Sequence, residues 1–145
     1  MRMFTVFPLL LLPVLVYNVI AWSGSAFGSV AAVRERMDKD FLAVPMASDT
    51  TWDITPGHAL IAFSLLMLFF ELLKSTGTGR GAIINHAFSM VLFIVCLVEF
   101  LMFPAFATSV FFLVMMMTLL DVMAGFIVTI ISARRDFGVA DGSFE

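Results

Sequence analysis

VFFLVMMMTLLDVMAGFIVTII, residues 110–131, is an unbroken apolar run in which Asp121 is the one charged residue. A helix of this length rises about 33 Å, which is enough to cross a hydrocarbon core of about 30 Å. The run therefore predicts a transmembrane helix. A carboxyl group inside it needs a proton, a polar partner or water, because an isolated charge is costly in hydrocarbon.

The whole chain has the composition of a protein with several membrane spans. It is 61% hydrophobic and 13% charged, whereas soluble domains are about half apolar and about a quarter charged. We predict an all-α fold, a four-helix transmembrane bundle with an amphipathic helix or loop between helices 1 and 2. Residues 1–145 then form a single integral membrane domain, with an outer loop over 23–57 and spans at about 4–22, 58–74, 83–104 and 109–132.

Two of these spans have distinctive beginnings. Thr55 is a natural N-cap and Pro56 suits the first helical position of the second span. In the first span, Arg2 before the apolar run and small residues at 23–26 resemble a signal peptide. An apolar stretch of about 19 residues exceeds the usual length of about 7–15, so we expect the segment to be retained as an anchor helix.

Basic residues indicate the orientation, because they favour the cytoplasmic side of a membrane. With four spans, the termini and the loop over 75–82 share one side with Arg2, Lys74, Arg80, Arg134 and Arg135. The other side has Arg34, Arg36 and Lys39, outnumbered by acidic residues. We therefore expect both termini to be cytoplasmic, in a bacterial inner membrane as judged from size and topology.

The outer loop contains a helical pattern. Apolar residues recur at spacings of three and four, which predicts an amphipathic helix that Pro45 ends: Val30, Val33, Met37, Phe41 and Val44. The segment 46–55 is then a loop, with Trp52 at the headgroup level near Trp22. Such a helix caps the bundle or lies on the bilayer, and the alternative is a docking surface for a partner.

Two spans have stripes of small and polar residues. In the fourth they are Thr118, Asp121, Gly125, Thr129 and Ser132, and in the third Asn85, Ser89, Cys96 and Glu99. Spacings of three, four and seven place each set on one helix face. Because small and polar faces pack together in membranes, we expect the two stripes to face each other or a shared centre.

The acids within spans are the candidate functional groups. Counting from the outer ends, Glu99 lies about 8 Å deep, Asp121 about 18 Å and Glu71 about 20 Å. Such acids act as protonated structural groups, as a proton pathway, or as partners for basic groups of another subunit. Glu71 is the weakest candidate, because it can reach the interface with Lys74. The full set of candidate site residues is Asp121, Glu99, Glu71, Thr118, Asn18, Tyr17 and His86.

The sequence favours a protein without catalytic residues, bound cofactor or metal. His58 and His86 lie near opposite ends of their spans, so they cannot both ligate one haem iron. The single cysteine, Cys96, excludes an intrachain disulfide and a cysteine-based zinc site. Consecutive methionines at 115–117 spread around a helix as packing residues. No enzyme motif or basic nucleic-acid surface is evident.

We therefore expect a small accessory or assembly subunit of a larger membrane complex, or a homo-oligomer. Its partners are then the lipid bilayer and another integral membrane protein or a second copy of itself, and no nucleic acid. The alternative is a small transporter or proton-conducting protein that uses Glu99 and Asp121.

Overall fold

A computed structural model describes residues 7–23, 29–75 and 80–141, with side chains over 7–23, 29–74 and 81–131. The described residues are mostly helical, at 77%. Its elements are helices α1 (Leu11–Trp22), α2 (Val30–Asp38), α3 (Pro56–Ser75), α4 (Arg80–Met102) and α5 (Ser109–Asp141), strands β1 (Leu42–Pro45) and β2 (Thr51–Ile54), and a 3₁₀ turn (Pro104–Phe106).

Three helices are long and apolar enough to cross a membrane: α3 over Pro56–Lys74, α4 over Gly81–Met102 and α5 over Ser109–Ile131. Three apolar helices of this length are typical of a membrane protein. α4 ends at Met102 because Phe103 precedes Pro104 and takes an extended conformation. α5 continues to Asp141, beyond the predicted end of its span at 132, and its 33 residues rise about 50 Å.

The first predicted span is only partly present as a helix. α1 has 12 residues, a rise of about 18 Å, and the predicted residues 4–6 lie outside the described part of the chain. Pro8 and Pro13 explain the late start, because proline lacks the N–H that a helix interior requires. Turn hydrogen bonds such as Leu11 N to Pro8 O lead into the helix. Three of the described helices, not four, thus have the length of a span.

The predicted start of α3 is confirmed at atomic detail. The Thr55 hydroxyl oxygen accepts a hydrogen bond from the His58 N–H at 3.2 Å. The Thr55 N–H in turn donates to Nδ1 of His58 at 3.3 Å. This reciprocal pair is a capping box in which histidine replaces the usual glutamate. His58 therefore has a structural role at the helix end.

The outer loop departs from the predicted amphipathic helix and from an all-α fold. α2 ends at Asp38, and the next residues form an antiparallel hairpin in which Leu42 pairs with Ile54 and Val44 with Trp52. The predicted positions Phe41 and Val44 thus lie outside the helix. The charged run at 38–40 interrupts the apolar period, whereas apolar residues at 42, 44, 52 and 54 follow the two-residue period of strands.

α5 is the central helix, because it packs against both α3 and α4. At the outer end, Gly57 allows close approach: an added Cβ there lies 3.0 Å from a Val110 methyl and 3.1 Å from the Met37 carbonyl. Tyr17 of α1 packs against Phe106 and Phe111 in the same outer region. The core therefore begins at the outer end and continues along the seam between α4 and α5.

Candidate functional site

Glu71 joins three segments of the chain. Its carboxylate accepts hydrogen bonds from the Leu9 backbone N–H at 2.7 Å and from Nδ2 of Asn85 on α4. Lys74, one turn along α3, forms an ion pair with it at 2.9 Å. The N-terminal segment, α3 and α4 are therefore held together by one carboxylate.

The Glu71–Lys74 pair was anticipated in the sequence, but its surroundings differ from that prediction. Glu71 is 0% exposed, so it does not extend to the interface with Lys74. Lys74 also donates to the Phe7 carbonyl at 2.7 Å, which closes the N-terminal segment over the pair. Burial without these donors is costly for a carboxylate, so the bonds account for its position.

Asp121 lies beside this network at the seam between α4 and α5. It is 3% exposed, the Ser89 hydroxyl lies beside it, and Glu71 and Lys74 act on it electrostatically. Three oxygens of this group have no hydrogen-bond partner among the described residues: Asn85 Oδ1, Ser89 Oγ and Asp121 Oδ2. Glu71, Asn85, Ser89 and Asp121 thus form a continuous polar group, which we call the seam cluster.

His86 follows Asn85 of the seam cluster along α4. Its ring meets Phe126 edge-to-face, with centroids 5.0 Å apart, and lies directly over Gly125. A Cβ on Gly125 would overlap the imidazole ring, so only glycine fits there. Nε2 of His86 is buried and has no partner in the described part of the chain.

The two polar stripes face each other where they meet along α4 and α5. Ser89 lies beside Asp121, and Cys96 lies beside Thr118. The Thr118 hydroxyl donates to the Met115 carbonyl of its own helix at 2.7 Å, so it is satisfied locally. Thr129 similarly donates to the Gly125 carbonyl, while the Ser132 side chain lies outside the described residues.

The remaining candidates form a separate outer group. Nδ2 of Asn18 donates to Glu99 at 3.3 Å, which links α1 to α4. The Tyr17 hydroxyl bonds with the Thr108 hydroxyl at 2.6 Å and donates to the Ala105 carbonyl. Glu99 is ten residues from Ser89 along α4, a rise of about 15 Å. The polar groups that the sequence places at successive depths therefore lie in two separate places, an outer group and the seam cluster.

Sequence reasoning did not select Asn85 and Ser89 as site residues, although it placed both on the polar stripe. Their spacing of four residues puts them one turn apart, opposite Asp121 at a similar depth. This agreement in depth with Asp121 was the sequence signal that could have identified Asn85 and Ser89 as site residues. The hydrogen bond from the Leu9 N–H to Glu71 was not predictable, because a backbone N–H does not depend on the residue type and leaves no sign in the sequence.

The chemistry available in the seam cluster is that of hydrogen bonding and charge. Among the described residues, no three His, Cys, Asp or Glu side chains converge in a way that can hold a metal ion. The cluster combines two carboxyl groups, an amide and a hydroxyl, and Lys74 forms an ion pair with one of the carboxylates. No protein family, curated protein or solved structure matches this chain.

Proposed function

We propose that this chain is a small accessory or assembly subunit of a bacterial inner membrane, which binds a larger membrane complex or assembles with copies of itself. The observation that carries the proposal is the outer hairpin of β1 and β2. It is the main extramembrane structure in the described chain other than α2, and its strands pack mainly on each other.

The hairpin presents an apolar surface. Because paired residues of antiparallel strands point to the same side, one face consists of Leu42, Val44, Trp52 and Ile54. Leu42 and Trp52 on this face are 52% and 53% exposed. Each strand also has one edge free of strand pairing in the described chain, and free edges can pair with a strand of another protein. We call this face the hairpin face.

The buried polar groups support a role in assembly. The Glu71 carboxylate gathers donors from the N-terminal segment, α3 and α4. The bond from Asn18 to Glu99 fastens α1 to α4 in the outer half. Hydrogen bonds of this kind stabilise the packing of membrane helices, and that role requires no transport activity.

α1 supplies the fourth crossing in our proposal, with both termini cytoplasmic. Its outward side is apolar, with Leu15 and Val19 exposed, while Tyr17 is buried against the bundle. α1 itself rises about 18 Å, and residues 8–10 lead into it through turn hydrogen bonds. The distribution of basic residues in the sequence supports the orientation.

The second candidate is proton transport through Glu99 and Asp121, and it rests on the unpartnered oxygens of the seam cluster. A relay requires polar groups within hydrogen-bond reach along the whole path. Between Ser89 and Glu99, α4 contributes buried Leu92 and Cys96 to the interior. The Thr118 hydroxyl beside Cys96 donates to the Met115 carbonyl of its own helix, so it does not extend a chain of hydrogen bonds to Glu99. This interruption favours the assembly role over the relay.

The test is purification in mild detergent followed by native mass spectrometry. We expect a stoichiometric complex, with one larger membrane protein or with further copies of this chain. Replacing Leu42 and Trp52 together by Ser, on the hairpin face, should abolish the complex. The matched control replaces Ala43 and Asp53 on the opposite face by Ser and Asn, and should retain it.

A monomer that binds no stoichiometric partner would contradict the proposal. Proton flux in proteoliposomes that is lost in both Glu99→Gln and Asp121→Asn would support the transporter instead. Circular dichroism on each variant ensures that lost binding or flux is not lost folding.

A further inference from the structure

The seam cluster contains three buried oxygens that the described residues leave without partners. Asn85, Ser89 and Asp121 are each at least 95% buried, and their oxygens Oδ1, Oγ and Oδ2 are buried without a hydrogen-bond partner among the described residues. A buried polar atom without a partner destabilises the folded state. Three such oxygens in one cluster indicate that the cluster binds a further component that satisfies them.

The missing component is a hydrogen-bond donor. Nδ2 of Asn85 donates to Glu71, which fixes its amide so that Oδ1, an acceptor, is the atom left without a partner among the described residues. An ionised Asp121 adds only acceptor atoms. Ser89 has one hydroxyl hydrogen to serve both neighbours. The ionised cluster therefore has at least one donor too few.

The missing component also carries positive charge. The charged groups that act on Asp121 in the described chain are Glu71 and Lys74, and these two compensate each other in an ion pair. His86, the titratable group of α4 nearest to the cluster in sequence, lies over Gly125, one turn from Asp121. An ionised Asp121 thus keeps one negative charge without a counter-charge in the membrane interior.

We propose that Asp121 binds one exchangeable proton, which the Asn85 and Ser89 oxygens hold in the seam between α4 and α5. One proton supplies both the missing donor and the missing charge, and it needs no cavity. The Asp121 hydroxyl donates to the Asn85 carbonyl oxygen, and the Ser89 hydroxyl donates to the second Asp121 oxygen. Loss of the proton leaves the seam with a buried charge and loosens α4 from α5.

The direct test is infrared difference spectroscopy of the full chain in nanodiscs as the pH is changed. We expect a protonated carboxyl band at neutral pH that disappears when the pH is raised. Asp121→Asn, which keeps the side-chain volume and a permanent donor, should abolish this band. Glu99→Gln is the matched control and should leave it unchanged.

A second variant keeps the test informative if Asp121→Asn does not fold. In Ser89→Ala the ionised carboxylate loses its hydroxyl donor, so the band should persist to higher pH. Two results would overturn the proposal. The first is a neutral-pH spectrum in which neither Asp121→Asn nor Ser89→Ala alters any protonated carboxyl band. The other is a carboxylate that stays ionised in sodium buffers and becomes protonated only when sodium is removed, because a sodium ion is then the occupant.

Discussion

Nδ2 of Asn85 donates to Oε1 of Glu71, and this buried bond joins α4 to α3. The same carboxylate accepts from the Leu9 N–H and pairs with Lys74. One side chain therefore determines how three segments of the chain meet. The first prediction follows from this concentration of bonds.

Removing the Glu71 carboxylate should destabilise the fold far more than removing Glu99. Glu71→Ala leaves Lys74, Asn85 and the Leu9 N–H without their acceptor, and breaking a buried pair costs about 3–5 kcal/mol. Glu99→Ala loses one long bond from Asn18 and should cost about 1 kcal/mol. Steric-trap unfolding in detergent micelles measures both. Equal losses would show that the Glu71 bonds do not organise the bundle.

Gly125 should tolerate no side chain as long as His86 is present. An added Cβ overlaps the imidazole ring, and overpacking a buried contact costs about 1–3 kcal/mol. Gly125→Ala should therefore lower the free energy of unfolding, and His86→Ala in the same chain should restore most of it.

Gly81 provides the matched control for this substitution. It lies near the start of α4, and an added Cβ there meets nothing within 4 Å. Because alanine is the better helix former by about 1 kcal/mol, Gly81→Ala should be neutral or stabilising. The close contact of α4 with α5 at His86 is refuted if Gly125→Ala behaves like Gly81→Ala.

The capping box at the start of α3 should contribute measurable stability. Thr55→Ala removes the acceptor of the His58 N–H and should cost about 1 kcal/mol. Thr55→Ser keeps the hydroxyl and should cost little. Thermal unfolding followed by circular dichroism distinguishes the two variants, and an identical loss in both would argue against a role for the hydroxyl.

Tyr17 should be coupled to Thr108. Tyr17→Phe removes the hydroxyl that bonds with the Thr108 hydroxyl and the Ala105 carbonyl, both buried, at a cost of about 1 kcal/mol. In a double-mutant cycle with Thr108→Val, the two losses should sum to more than the loss in the double variant. Strictly additive losses would mean that this bond contributes nothing to the packing of α1.

The long helices were predictable because a membrane span leaves a strong signal in one sequence. Apolar length determined α3, α4 and α5 to within a few residues at most ends, and Thr55 with Pro56 marked the start of α3. Helix periodicity predicted that the two polar stripes face each other, and Ser89 does lie beside Asp121. The sequence did not predict where α5 ends, because polar residues after 132 continue the helix without a sequence signal.

Other features depend on competition between patterns or on contacts between distant segments. At Phe41 and Val44 a three-to-four spacing overlapped a two-residue spacing, and strand pairing with Trp52 and Ile54 decided the outcome. α1 is shorter than its apolar run because its prolines delay the helix. The burial of Glu71 depends on Leu9, which sequence alone does not place nearby.

The central claim is that the hairpin face is where this protein binds its partner in the membrane. The most direct measurement is photocrosslinking in native membranes from a photoreactive residue at position 52, compared with the same residue at position 53 on the opposite face. We predict one adduct of constant mass from position 52 and none from position 53. Equal adducts from both positions, or adducts with lipid alone, would contradict the claim.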